Sequence, residues 1–208
     1  MAARAGLERR RHRATRRQAD VVTTPRPVLP APVPDSRRRN RRRAMRVLLV
    51  DTEDRLLLFR DSDPGIVPVP TFWITAGGGV DPGETDLEAA VREVAEETGL
   101  AITRSDLVGP LAERVVVHGY SDVVTTQDEA FWFVRCAPFE ISTEGHTEDE
   151  IATMTSHHWW TRAELEASDE DIWPRDLLAV WDQVDRDGTF GGAPLELGEV
   201  DESTVAPA

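Results

Sequence analysis

Residues Gly78–Leu100 read GGVDPGETDLEAAVREVAEETGL, and this stretch decides the fold. Gly77 to Gly79 and Pro82-Gly83 supply two bends whose backbone is free to come close to a ligand. Thr85 followed by Glu88 is a capping-box pattern, so a helix is expected from Asp86. Asp86 and Glu88 in its first turn suit the positive end of the helix dipole. Gly99 just after Thr98 supplies the stop. Inside the helix, Leu87, Ala90, Val91, Val94 and Ala95 recur at helical spacing and form an apolar stripe. Glu93, Glu96 and Glu97 lie three and four apart and are expected to project together, across from Leu87, Val91 and Val94.

Three clustered carboxylates repel one another unless a cation sits between them. Arg92, next to Glu93 and four residues from Glu96, offsets part of that repulsion but does not neutralise it. An all-oxygen cluster suits a hard divalent ion such as Mg²⁺ or Mn²⁺, which keeps waters and takes substrate phosphates as its other ligands. The chemistry this favours is attack of an activated water on a phosphate linkage. A solvated acidic helix face balanced by Arg92 is the plainer alternative, and the carboxylate spacing alone leaves it open.

The wider pattern is more specific. Gly78, five residues, Glu84, seven residues, then Arg92-Glu93-Val94-x-Glu96-Glu97-x-Gly99-Leu100 resembles the Nudix box at every specified position. The resemblance covers about residues 46–186. It implies an α/β fold, an α/β/α sandwich with a mixed sheet, which composition flanks with disordered tails. It also implies Mg²⁺- or Mn²⁺-dependent hydrolysis of a nucleoside diphosphate linked to another moiety. On the matching positions, Glu93, Glu96 and Glu97 would bind metal, and Glu96, Glu97 and Arg92 would serve catalysis. Arg92 would orient the carboxylates through Glu84 or Glu93. Gly78 would let the loop pass close to the diphosphate, and Glu84 and Gly99 would be structural. The general base would come from the box or from a later acidic loop. There Glu148, Asp149 and Glu150 are candidates, Glu150 first, with Glu129 a further one. Loss of box carboxylates would mark a silent nucleotide-sensing member of the family; none is lost.

The flanking chain fits this frame. Val47–Val50 and Leu56–Phe59 read as a β-hairpin, and Asp61–Pro70, with three prolines and a glycine, as a loop. Phe72–Thr75, Val108–His118, Glu129–Cys136 and His157–Thr161 read as strands, and Pro174–Asp185 as a closing amphipathic helix. Trp73, Trp132, Trp159 and Trp160 are expected in the core rather than stacked on a base. His157 and His158, adjacent on a strand, point to opposite faces and are no chelating pair.

Charge divides the chain. The net charge of −14 combines +11 over residues 1–44, which carry fourteen Arg, with −25 over the remainder; there is no Lys. Residues 1–44 read as a disordered Arg/Pro-rich arm, since such a stretch cannot bury enough surface to offset its ordering entropy. Three readings of the arm stay open: charge-driven binding of an acidic partner or nucleic acid, an Arg-rich targeting leader, or upstream sequence with Met45 the working start. The last is favoured because Met45 immediately precedes the strand-like run Arg46–Asp51. The domain is set at 45–187 and an acidic tail at 188–208. The −25 domain would repel a polyanion, so only the arm favours nucleic acid. No apolar run approaches the ~20 residues of a membrane-spanning helix. One cysteine, Cys136, excludes an internal disulfide and a cysteine-based zinc cluster. A cytoplasmic enzyme with a small nucleotide substrate is expected, and the family resemblance adds a homodimer.

Overall fold

A computed structural model describes residues 36–206 of the chain. The element order is β1 (Arg38–Asp51), β2 (Arg55–Ser62), β3 (Thr71–Ile74), α1 (Asp86–Thr98), β4 (Val108–Gly119), β5 (Val123–Cys136), α2 (Glu148–Thr153), β6 (Ser156–Thr161), α3 (Arg162–Ala167), β7 (Ile172–Trp173), α4 (Leu177–Trp181) and β8 (Leu195–Asp201), with a short 3-10 turn at Arg104–Asp106 before β4. The strands form one curled mixed sheet in the order β7-β3-β2-β1-β5-β4-β8, with β6 pairing β2. Central β1 runs parallel to β5 through a register from Arg38↔Val123 to Asp51↔Cys136. It meets β2 in the expected antiparallel hairpin at Val50↔Leu56.

Strand alternation explains the layers. Met45, Val47 and Leu49 of β1 turn to one face and join Leu57, Phe59, Ala89, Ala90 and Val94, so α1 packs there. Leu48 and Val50 turn to the other face with Leu56, Leu58, Trp160, Leu165, Leu177 and Trp181, beneath α3 and α4. The chain is thus the α/β/α sandwich with a mixed sheet that the resemblance implied. Trp73 and Trp160 are core residues, as expected, and Trp132 and Trp159 are half-buried against the α1-side core. Cys136 is buried, and that burial pushes its thiol up to about 11.

Three boundaries differ from the sequence reading. First, β1 starts at Arg38, not near Arg46, so the end of the basic arm belongs to the sheet. The reason is pairing: Arg41 binds Asp128, Arg43 binds Asp86 and Glu113, and Arg37 donates to the carbonyls of Tyr120, Val205 and Ala206. A start at Met45 would remove these contacts. The rest of the arm, residues 1–35, lies outside the described residues. Second, the stretch assigned to an acidic tail supplies β8, which pairs with β4, and then returns Glu202 to Val205 to the end of β4. Third, the closing helix is shorter than expected, Leu177–Trp181, because Pro174 and the turn after Asp182 bound it.

Candidate active site

The site begins with the capping of α1. The Thr85 side chain accepts the Glu88 N–H while the Glu88 carboxylate accepts the Thr85 N–H, which fixes the first turn where the sequence places it. Gly99, at φ 75°, closes the last turn with an N–H to the Ala95 carbonyl. The glycine loop before α1 is tied to β1: the Met45 N–H donates to the Gly78 carbonyl at 2.9 Å and the Val47 N–H to the Ala76 carbonyl at 2.8 Å. The loop therefore lies between β1 and the helix.

The acidic face of α1 departs from expectation. Glu93 and Glu97, one turn apart, are buried at 7% and 2% exposure, against the loop and not in solvent. Ala89, Ala90 and Val94 carry the core contact, while Leu87 and Val91 are only half-buried and Ala95 is exposed. Glu97 accepts the Gly77 N–H at 2.8 Å. Gly77 itself stands at φ 128°, and a Cβ on it would come within 2.1 Å of the Met45 carbonyl oxygen, so only glycine fits. Gly78 serves differently: a Cβ there would lie 2.6 Å from the Glu93 Oε1, so its missing side chain makes room for that carboxylate.

Arg92 organises the cluster. Its Nε and Nη2 grip Glu84 at 2.9 Å each, Nη1 reaches Glu93 at 2.8 Å and Glu96 at 3.0 Å, and Nη2 also donates to the Gly79 carbonyl at 2.8 Å. Arg92 thus binds both of the partners expected for it. The Glu84 hydrogen bonds foremost, and those of Glu93 and Glu96, hold its pKa above the ordinary arginine value.

Among the described residues Glu93, Glu97 and Glu150 bring one carboxylate oxygen each to within 4.8 Å of one another. Glu150 comes from α2, whose own capping box uses the Glu150 carboxylate on Thr147. Glu96 is not in this group; a turn of about 100° from Glu97 around the helix carries it to the rim, with 44% of its side chain exposed. Glu148 and Asp149 are also outside the group. Glu129 is fully buried in β5 between Arg46 at 2.9 Å and Arg114 at 2.7 Å, and so is committed to ion pairs rather than to a water. His157 turns to Phe59 and His158 to Trp73 and Trp160, the opposite faces expected of them.

Burial raises the pKa of Glu97 well above the carboxylate range; the Gly77 N–H opposes this and the charges of Glu93 and Glu150 add to it. Burial likewise raises Glu93, against the pull of Arg92. Two buried carboxylates and a third facing them, with Arg92 bonded to Glu93 of the three, form a hard-oxygen donor set that fits Mg²⁺ or Mn²⁺. Beside this cluster His146 bonds the Glu97 carbonyl at 3.0 Å and helps line an open cleft of about 430 Å³, with Phe59, Ile151, Met154 and His157 on its other walls.

The NUDIX domain model matches residues 40–181. A curated relative, the uncharacterized Nudix hydrolase orf19 of Rhodococcus erythropolis, is 32% identical over 135 residues, covering 61% of this chain and 68% of that protein. The dihydroneopterin triphosphate diphosphatase of Escherichia coli strain K12 is 34% identical over 98 residues, 43% of this chain and 61% of that protein. Among solved structures, the MutT protein from Bacillus halodurans matches with a TM-score of 0.48 at 17% identity, covering 76% of this chain and 89% of that one.

Proposed function

The chain belongs to the Nudix family, and from that membership we propose that it is a divalent-metal-dependent hydrolase. Its substrate class is a nucleoside diphosphate linked to another moiety, and water attacks phosphorus to break the anhydride. The observation that carries this reading is the convergence of Glu93, Glu97 and Glu150 from two separate helices beside the glycine loop. Glu93 and Glu97 would hold Mg²⁺ or Mn²⁺, with Glu96 at the rim. When bound, the ion lowers the pKa of a water and neutralises diphosphate charge. Arg92 keeps the Glu84, Glu93 and Glu96 carboxylates oriented, and the Gly77 N–H does the same for Glu97. Glu150, which faces the pair from α2, is assigned the proton of the attacking water. Gly78 keeps the Glu93 carboxylate in place by leaving space for it. The open cleft walled by His146, Phe59 and His157 falls within the volume range of small-ligand pockets and would receive an organic group of the substrate. No helix among the described residues is long and apolar enough to cross a membrane, and a cytoplasmic setting is part of the proposal.

The test is phosphate release from a panel of dinucleoside polyphosphates, ADP-ribose, nucleotide sugars, NADH and oxidised deoxynucleoside triphosphates, with Mg²⁺ or Mn²⁺. Metal-dependent turnover that disappears in a Glu96→Gln/Glu97→Gln double variant is expected. Tight nucleotide binding by the wild type without turnover would instead identify a nucleotide sensor.

A further inference from the structure

Three of the six arginines of β1 hold named acidic partners. Arg41 pairs with Asp128, Arg43 with Asp86 and Glu113, and Arg46 with Glu129 and the Gly77 carbonyl. Arg42 is different. Its side chain makes no hydrogen bond or ion pair with any described residue, although its backbone stands in regular pairing opposite Gln127. Strand alternation puts it on the same side as Ala44 and Arg46, and the glycine loop runs edge to edge with this part of β1 through the Ala44↔Gly79 bridge. Its guanidinium rests on that loop: a Cβ on Gly79 would lie 3.1 Å from the Arg42 Nη1 and 3.5 Å from its Cζ.

Gly78 and Gly79 therefore have separate neighbours. Gly78 borders the Glu93 carboxylate of the acidic cluster, and Gly79 borders the Arg42 guanidinium. The Gly79 carbonyl is meanwhile held by Arg92, which fixes the loop between them. Burial and the Arg46 charge lower the pKa of Arg42, while Glu93, Tyr120 and Glu129 act in the opposite sense, so its head senses both the cluster and the buried network. An arginine stays charged under any physiological condition, and the exposed Arg42 side chain is open to a ligand. Its planar fork matches phosphate oxygens bidentately.

We propose that Arg42 is a substrate-binding residue that grips the diphosphate from the β1 side of the glycine loop. This assignment rests on the hydrolase reading of the carboxylate cluster. With a diphosphate bound, Arg42 would donate to its oxygens from the side of the glycine loop away from the carboxylate cluster. The arginine thus adds affinity for a diphosphate without touching the carboxylates, and it supplies a positive charge where the buried acids leave a negative field.

Calorimetry separates the two claims. ADP is titrated in the presence of Mg²⁺, and Mn²⁺ alone is titrated separately, into wild type, Arg42→Ala, Arg42→Lys and Arg41→Ala. Arg42→Ala is expected to weaken ADP about ten- to a hundredfold, the range for hydrogen bonds to a charged group. Arg42→Lys should recover part of that loss, since it keeps the charge and loses the fork. Arg41→Ala should bind ADP as wild type does, and Mn²⁺ affinity should be the same in all four proteins. Equal ADP affinity in wild type and Arg42→Ala would overturn the assignment. So would a parallel loss of Mn²⁺ binding in Arg42→Ala, because the arginine would then be acting on the fold of the cluster. Wild type that binds ADP through Arg42 yet hydrolyses nothing in the nucleotide panel supports the grip and contradicts the hydrolase.

Discussion

Glu97 is 2% exposed and receives one hydrogen bond, from the Gly77 N–H, while Glu93 and Glu150 add negative potential around it. Ionised, with no cation bonded to it and the charge of Arg46 alone opposing its acidic neighbours, such a group is costly to bury. Glu97→Gln keeps the volume and removes the charge. It should leave the thermal midpoint of the metal-free protein unchanged or raise it, and lower metal-dependent turnover by about a hundredfold or more. Scanning calorimetry and initial rates on one preparation check both halves. Gly78→Ala tests the neighbouring residue: its Cβ would come within 2.6 Å of the Glu93 Oε1, so the carboxylate must move. Turnover should fall at least tenfold, with metal affinity falling alongside it. At this scale the box residues were legible because their spacing is fixed. That Glu96 leaves the group was not, since three carboxylates at helical spacing can project together without converging on one point.

The helix α1 shows how local signals become geometry. Thr85, Glu88 and Gly99 were readable as its ends because caps depend on residue type and offset alone. Thr85→Ala removes the acceptor for the Glu88 N–H and should cost about 1 kcal/mol. That corresponds to a fall of about 2–4 °C in the melting temperature of a chain this size. Circular dichroism melting is the check. The strand β1 was only half legible. Its apolar end, Met45 to Val50, has a strand signature, whereas Arg38 to Arg43 reads as a solvated charge run. What makes a strand of it is partners far away in sequence, Asp86, Glu113 and Asp128, which a local window does not contain. The same holds for β8, whose alternating, Glu-rich residues acquire an edge only by pairing with β4.

Across the whole molecule, a buried charge network joins the central strands to the returning C-terminal segment. Arg46 of β1, Glu129 of β5, Arg114 of β4 and Glu202 after β8 are linked at 2.9, 2.7 and 2.8 Å. Burial by itself would raise the Glu129 pKa, but the charges of Arg46 and Arg114, with His118 beside them at 3.8 Å, hold it far below the carboxylate range. Glu129→Gln leaves the buried Arg46 without its carboxylate and Arg114 with Glu202 alone, and should cost about 3–5 kcal/mol near pH 7. The sign with pH follows from the depressed value. The stabilisation is complete above the unfolded carboxylate value of about 4.3 and is lost as pH falls through the lower folded value. The stability gap between wild type and Glu129→Gln, read from denaturant melts, should therefore narrow steadily from pH 5 downward. Assembly of the acidic site is likewise a property of the whole fold, because Glu150 is brought to Glu93 and Glu97 from another element. The most direct measurement is a Mn²⁺ titration of wild type and of Glu93→Gln, Glu97→Gln and Glu150→Gln, followed by electron paramagnetic resonance. The account predicts Mn²⁺ binding in wild type that weakens at least tenfold in each variant; binding of equal strength in all four would contradict it.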